Sequence, residues 1–204
     1  MITYEDLLDY RRSVAALYAG VRQPGQDMAE RCRQFRHGRD QLFRAHPQSP
    51  LGDEQRSGFM GLRYYDYNPA YRFVLRVDPA VQQDDFELNL EHDGLVRLRR
   101  FGKIDFEIEG RQVSLSVFWV LGYGGGVFLP FRDATSGKET YGGGRYVLDT
   151  IKHADLGQDG SRLVVDFNYA YNPSCAYDSY WQCPLAPREN WLPVAILAGE
   201  LRFE

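Results

Sequence analysis

The sequence predicts a mainly β protein with N-terminal helices, an α+β fold. In it, an antiparallel β-meander closes into a barrel or a two-sheet sandwich and is capped by a helical hairpin. Three observations lead to this fold class. Apolar residues recur at helical spacing over about the first fifty positions, and from about position 58 they alternate with polar residues. Tight-turn sequences separate the alternating segments, which leaves little chain for the crossover helices of a parallel sheet.

The first helix is predicted from a cap and an apolar face. Thr3 and Asp6 have the spacing of a capping box, and "QPG" at 23–25 ends the helix. Its apolar face consists of Leu7, Tyr10, Val14, Leu17, Tyr18 and Val21.

The second helix is predicted to begin at Asp27, with Glu30 three residues further on, and to end at "HPQSP". Cys32 belongs to its apolar face and is expected to be a small core residue. The other members of that face are Met28, Phe35, Leu42 and Phe43. The arginines at 31, 33, 36 and 39 are expected to form the solvated face.

The strands are predicted from alternation and the turns from glycine. Apolar residues alternate over 71–77, 86–90, 104–108 and 113–119. The connecting turns are expected at "EHDG" (91–94), at the two residues Gly102-Lys103 and at "EGR" (109–111). "GYGGG" at 122–126 and "SGKET" at 136–140 are also predicted to be turns, because "VFLPF" after the first has the pattern of a strand and neither has the spacing of a phosphate-binding loop.

Composition limits the class of protein. Hydrophobic residues make up 44% and charged residues 25% of the chain, which is typical of a globular protein. We expect a single domain over 1–204, with the helical hairpin of 1–47 packed on a β-rich body of 58–204. The net charge of -4 disfavours nucleic acid as a partner. Without a long apolar run or a signal-peptide pattern, we expect no membrane association and a cytoplasmic location.

Two cysteines, Cys175 and Cys183, are separated by seven residues in a tyrosine-rich stretch. Their spacing is wider than that of structural zinc sites, and a disulfide is disfavoured in a reducing compartment. A nucleophilic Cys175 would need a histidine brought close by folding. We therefore favour two buried, inert thiols and expect neither a metal nor a cofactor, with zinc, a disulfide and a nucleophile as alternatives.

Polar residues crowd among aromatic ones in the second half of the chain. They are Asp133, Arg145, Asp166, Asn168, Asn172, Glu189 and Asn190. Buried polar groups are costly unless they are paired, so two interpretations remain open. In one, Asp133 or Asp166 accepts hydrogen bonds from Arg145, while Asn172 and Asn190 hold irregular backbone. In the other, the same groups converge on a ligand.

The sequence resembles a known family at these residues. "FLPFRDATSGKETYGGGRY", "DFNYAYNPSCAYDSYWQCPLAPREN" and "ILAGE" follow the pattern of the uncharacterised bacterial and archaeal domain of unknown function 1684 (DUF1684) family. "HPQSPL" and "GLRYYDYNPAYR" fit it too, so the resemblance extends from about residue 46. It implies a compact single domain of about this size and no established activity.

The function expected from the sequence is the binding of an unknown small molecule, with hydrolase or lyase activity as an extension. The pocket is expected from segments 128–146 and 166–190. We expect three catalytic residues, Glu189 or Asp133 as general acid or base and Arg145 to orient the ligand. The expected ligand-binding residues are Tyr141, Tyr146, Asn168, Tyr171, Asn172, Cys175 and Tyr177. The alternative is a non-catalytic structural or protein-interaction module, and either could form a homo-oligomer.

Overall fold

The computed structural model describes residues 3–90 and 94–203. The helices found there are α1 (Tyr4–Val21), α2 (Met28–Ala45) and α3 (Asp53–Ser57). The strands found there are β1 (Arg72–Leu75), β2 (Asp85–Leu90), β3 (Gly94–Ile108), β4 (Arg111–Leu121), β5 (Gly126–Phe131), β6 (Arg145–Asp149), β7 (Gln158–Asp159) and β8 (Arg162–Asp166). The prediction of a mainly β protein with N-terminal helices and antiparallel sheets is confirmed.

Both long helices begin at the caps that the sequence predicts. The Thr3 hydroxyl accepts a hydrogen bond from the Asp6 amide at 3.1 Å, and the Asp6 carboxylate accepts one from the Thr3 amide at 2.7 Å. The Asp27 carboxylate accepts a bond from the Glu30 amide at 2.9 Å. These bonds satisfy amides that have no partner inside the helix, so the caps fix where each helix starts.

The expectation of a fully solvated arginine face on α2 is wrong. Arg33 is exposed, but Arg39 is only 9% exposed. Residues four apart share one face of a helix, and Arg39 lies four residues from both Phe35 and Phe43, which are buried. Arg39 therefore belongs to the face that packs inward.

Five consecutive strands form the larger sheet in the order β2-β3-β4-β5-β6, with every adjacent pair antiparallel. This is the predicted meander. In the described residues β2 and β6 are the two ends of the order and do not pair, so the sheet does not close on itself. The turn predicted at 91–94 lies outside the described residues except for Gly94, which pairs with Leu90.

The turn predicted at Gly102-Lys103 is wrong. Strand β3 continues through these residues, and its register with β4 shifts between Arg100 and Gly102. A Cβ atom built on Gly102 would lie 2.2 Å from Val77 Cγ1 and 3.0 Å from the carbonyl oxygen of Asp78. Glycine inside a strand often marks a bulge or a close approach of another backbone. Gly102 is needed here for that approach and not for a reversal of the chain.

A second, three-stranded sheet has the order β1-β8-β7. In its antiparallel pair β1–β8, Phe73 is paired with Val165, so a strand from the first half of the chain meets one from the second half. Ring contacts connect the two sheets. The ring centroid of Phe73 in β1 lies 5.0 Å from that of Phe106 in β3. The ring centroid of Phe131 in β5 lies 5.0 Å from that of Phe167, the residue that follows β8.

Helices α1 and α2 contact each other, and α2 also contacts the β-rich residues. The Phe35 ring lies 4.9 Å from Tyr18 of α1 and 5.0 Å from Tyr169. Cys32 is 1% exposed beside them, as predicted. Among the described helices, none is long and apolar enough to cross a membrane.

Candidate functional site

A cavity of about 110 Å³ is lined by both long helices and by the β-rich part of the chain. We call it the tyrosine cavity, because its walls include Tyr10, Tyr18, Tyr146, Tyr171 and Tyr177. Its other wall residues are Val14, Leu17, Arg39, Leu42, Phe43, Pro50, Asp149, Lys152, Ala154, Asn172, Pro173, Ser174 and Cys183. Since an apolar cavity of about 150 Å³ holds benzene, this one has room for about four or five non-hydrogen atoms.

Arg39 in the cavity wall is neutralised by Glu200. Arg39 Nη1 donates to Glu200 Oε2 at 2.8 Å and to the Tyr64 hydroxyl at 2.7 Å. Glu200 is 1% exposed, and its carboxylate also accepts a hydrogen bond from the Tyr177 hydroxyl. A buried ion pair is stable only when hydrogen bonds satisfy its remaining atoms, and these bonds do so for Glu200.

Asn172 has a buried oxygen to which no other described residue donates a hydrogen bond. Its Nδ2 donates to Glu200 Oε1 at 3.0 Å and to the carbonyl oxygen of Leu201 at 2.8 Å. Both partners are acceptors, so the amide cannot be turned round, and Oδ1 must point away from them. In the described part of the chain this Oδ1 has no hydrogen-bond partner, although the residue is only 2% exposed. An unsatisfied buried acceptor costs about 1–3 kcal/mol.

Asp149 adds a carboxyl group to the same wall. It is 6% exposed, and its Oδ1 accepts a hydrogen bond from the Lys152 amide at 3.2 Å. Among the described residues it forms no salt bridge. Burial raises the pKa of this carboxyl, against the opposing influence of the Lys152 charge. A carboxyl group with a raised pKa beside a cavity is suited to proton transfer or to pairing with a cation.

The tyrosines of the cavity are held as neutral phenols. Burial raises the pKa of Tyr18 and of Tyr171, and the nearby Asp149 carboxylate raises both further. Burial also raises the pKa of Tyr177, with Glu200 the next cause. These side chains therefore present aromatic faces and neutral hydroxyls.

Asp133 and Arg145 lie together, but they do not line the tyrosine cavity. Arg145 Nη2 donates to Asp133 Oδ2 at 2.9 Å, and the two side chains are 1% and 0% exposed. The same carboxylate accepts bonds from the Thr135 hydroxyl at 2.6 Å and from the Ile196 amide at 2.9 Å. Arg145 also donates to carbonyl oxygens of Ile196, Ala198 and Glu200. The pair is satisfied internally and leaves no room for a ligand between its members.

Asn190 and Asn168 hold irregular backbone. Asn190 Nδ2 donates to the carbonyl oxygens of Ser116 at 2.9 Å and of Pro130 at 2.7 Å. Asn168 Nδ2 donates to the carbonyl oxygen of Asn68 at 2.8 Å, and its Oδ1 accepts from the Asn68 amide at 2.9 Å. Both arrangements agree with the structural interpretation of the polar residues.

Three further predicted site residues lie outside the cavity. Glu189 is exposed, so it is not buried among aromatic residues as expected for the general acid or base of a pocket. The Tyr141 hydroxyl lies 3.6 Å from Cys175 Sγ, and burial raises the pKa of Tyr141 to about 12. The cavity thus brings together Tyr146, Tyr171, Asn172 and Tyr177 from the predicted set, without Glu189, Tyr141 or Cys175.

Cys175 and Cys183 are neighbouring free thiols. The Cys175 amide donates to Cys183 Sγ at 3.4 Å. A hydrogen bond from the Cys175 side chain lowers the pKa of Cys183 to about 6. Within the described residues no group of three or more His, Cys, Asp or Glu side chains could hold a metal ion. Both cysteines are half-buried, and Cys183 lines the tyrosine cavity. Because its pKa is lowered, Cys183 is the one of the two with thiolate character.

Sequence reasoning missed Arg39, Asp149 and Glu200. The spacing of Arg39 from Phe35 and Phe43 was a signal that it lies on the inward face of α2. Asp149 is the last residue of β6 and directly follows its uncharged residues Tyr146–Leu148. This position was a second signal that could have indicated its burial. We find no sequence signal for the burial of Glu200.

The fold and the site define a mainly β protein with a small, aromatic-walled polar cavity under two helices. A family model described as "Protein of unknown function (DUF1684)" matches residues 57–201. The chain therefore belongs to the DUF1684 family, as the motifs suggested.

A solved structure is similar over most of both chains. It is the solution NMR structure of the uncharacterized protein from gene locus rrnAC0354 of Haloarcula marismortui. The two sequences are 34% identical, and the match covers 84% of this chain and 92% of that one, with a TM-score of 0.59. Among curated proteins none matches this chain.

Proposed function

We propose that the protein binds a small molecule in the tyrosine cavity. The observation that carries this proposal is Asn172, a residue of the cavity wall whose buried Oδ1 has no hydrogen-bond partner among the described residues. Nearly all buried polar groups in native proteins are hydrogen-bonded, and each exception calls for an explanation. A bound molecule that donates to this oxygen supplies one.

The proposal moves the binding role away from Asp133 and Arg145. Their closed network favours the structural role that the sequence left as an alternative, because both side chains are completely buried and bonded. The hydrolase or lyase chemistry considered from the sequence needs an acid or base at the cavity. Asp149 replaces Glu189 as our candidate for that role, because it lies in the cavity wall and burial raises its pKa.

We further propose that the two sheets form one sandwich-like domain, which α1 and α2 cover as a hairpin. The ring contact of Phe73 with Phe106 across the sheets supports this arrangement. One core cluster also includes residues of both helices and both sheets. On this view the cavity lies at the junction of the hairpin and the domain.

A fragment screen on a blocked cavity tests the proposed function. Val14 lines the cavity, so Val14→Phe is expected to fill it with a ring. Leu8 lies on the same helix and is 50% exposed, so Leu8→Phe adds the same ring outside the cavity. Fragments of about four or five non-hydrogen atoms are screened by saturation-transfer NMR against the three proteins, after thermal melts have established that both variants fold.

We expect that some fragments bind both the wild type and Leu8→Phe, and that these fragments do not bind Val14→Phe. Fragments that bind all three proteins equally occupy another site, which would contradict the proposal. So would a screen in which no fragment binds the wild type. Native mass spectrometry of freshly purified protein adds a second measurement, because a retained ligand appears as extra mass that denaturation removes.

A further inference from the structure

We propose that the ligand of the tyrosine cavity is a small amine, bound as its ammonium ion with the charge paired to Asp149 and an N–H donated to Asn172 Oδ1. This inference rests on the proposed function, since it names the chemical class of the molecule that the cavity takes. Four features of the cavity lead to it, namely its charge balance, its unpaired acceptor, its aromatic walls and its size.

The charge balance leaves one buried carboxyl group without a salt bridge. The cavity wall contains two cationic side chains, Arg39 and Lys152. Glu200 pairs with Arg39 at 2.8 Å and cancels its charge, whereas Lys152 is exposed. Asp149 forms no salt bridge among the described residues. A buried charge without a partner is strongly disfavoured, so a cation in the cavity would gain its attraction to Asp149 without displacing another ion.

The unpaired acceptor selects for a donor. Asn172 Oδ1 cannot exchange places with Nδ2, because Nδ2 already donates to Glu200 and to Leu201. A carboxylate or carbonyl ligand brings only acceptors and would leave this oxygen unsatisfied. An ammonium group brings three donors, enough for Asn172, for the Asp149 carboxylate and for one phenol.

The aromatic walls suit a cation. Tyr18 and Tyr171 are both close enough to Asp149 for its charge to raise their pKa values, so aromatic rings stand beside the carboxylate. Aromatic faces attract ammonium ions, and aromatic cages are the usual sites for quaternary ones. A neutral phenol also accepts a hydrogen bond from an N–H group.

Three basic side chains on neighbouring elements oppose the proposed ligand. Lys152, Arg11 and His153 all lower the pKa of Asp149, although burial outweighs them. Lys152 and His153 are exposed, and Arg11 donates to the carbonyl oxygen of Ile151. Water and salt screen the exposed charge of Lys152 more strongly than they screen charges buried in the cavity.

The experiment compares three probes of nearly equal size. Propylammonium, 1-propanol and propionate share an alkyl chain and differ in charge and in hydrogen bonding, and they fit a cavity of about 110 Å³. Their dissociation constants are measured by NMR titration at neutral pH for the wild type and for Asp149→Asn. Asparagine keeps the oxygen that accepts from Lys152, so the variant is expected to fold.

We expect propylammonium to bind the wild type at least about tenfold more tightly than 1-propanol, and this preference to disappear in Asp149→Asn. Tighter binding of 1-propanol or propionate, blocked by Val14→Phe, would overturn the amine assignment and leave the proposed function in place. If none of the three probes binds, the amine assignment is also overturned, and the fragment screen alone decides the proposed function. Should Asp149→Asn fail to fold, the order of the three wild-type constants still decides.

Discussion

Replacing Glu200 by glutamine tests the buried pair that closes one wall of the cavity. The Glu200 carboxylate accepts hydrogen bonds from Arg39, from the Tyr177 hydroxyl and from the backbone and side chain of Asn172. All of these groups are donors. Glutamine keeps one acceptor oxygen but places an NH₂ group where the other oxygen was, and it removes the charge opposite Arg39. The variant therefore leaves a buried guanidinium uncompensated.

Breaking a buried ion pair by removing one partner costs about 3–5 kcal/mol, and Glu200 is 1% exposed. A chain of this kind has a free energy of unfolding of about 5–15 kcal/mol, so Glu200→Gln should remove a large share of it. With a denaturant slope of about 2–3 kcal/mol per molar, the midpoint of urea unfolding should fall by about 1–2.5 M. Urea titrations followed by circular dichroism measure this shift.

The control for Glu200→Gln is an exposed pair. Arg99 donates to both oxygens of Asp85, at 2.7 and 2.8 Å, and the two side chains are 45% and 46% exposed. Exposed pairs contribute little to stability because water screens them, so Asp85→Asn should leave the urea midpoint unchanged. The double variant Arg39→Met/Glu200→Gln should recover part of the loss, because it removes the unpaired cation. Equal midpoints for Glu200→Gln and the wild type would refute the reasoning.

Two further predictions concern titrating groups near the cavity. Iodoacetamide should alkylate Cys183 at neutral pH much faster than Cys32, because the bond from Cys175 lowers the pKa of Cys183 to about 6 while burial raises that of Cys32 to about 11. Cys175→Ala should shift Cys183 alkylation to higher pH, as measured by peptide mass spectrometry; an unchanged profile would contradict it. Burial raises the pKa of Asp149, so the folded state holds the proton of this carboxyl group more tightly than the unfolded state does. The wild type should therefore lose stability as the pH rises from the ordinary carboxyl pKa through the raised pKa. Asp149→Asn should lack this loss, and a constant difference between the two urea midpoints across that interval would count against it.

The sequence predicted the features that depend on local spacing. The caps at Thr3 and Asp27 and the reversal at "EGR" depend on residues close together in the chain, and the structure contains all of them. The meander also follows from local patterns, because each strand pairs with the next one along the chain. Periodicity and turn chemistry carry this information without knowledge of distant contacts.

The features that depend on distant partners could not be predicted. Gly102 has the sequence signature of a turn, and only the approach of Val77 and Asp78 explains why the strand continues there. The spacing of Arg39 from Phe35 and Phe43 indicates the inward face of α2, but its counter-charge, Glu200, lies 161 residues further along the chain and could not be inferred. The crowding of Asp133 and Arg145 among aromatic residues was correctly noticed, but composition does not distinguish a closed network from an open pocket. That distinction depends on distant partners, because Arg145 donates to the carbonyl oxygens of Ile196 and Ala198, 51 and 53 residues further along the chain.

The separation of Arg39 from Glu200 also bears on when the protein can fold during its synthesis. At about 5–20 residues per second, the 161 residues that follow Arg39 up to and including Glu200 take roughly 8–30 s to translate. Throughout that interval the nascent chain contains the arginine without the carboxylate that neutralises it, and burying the guanidinium early would be costly. We therefore expect helix α2 to remain loosely associated with the growing sheets until residue 200 has emerged from the ribosome. The tyrosine cavity would then be among the last parts of the molecule to form.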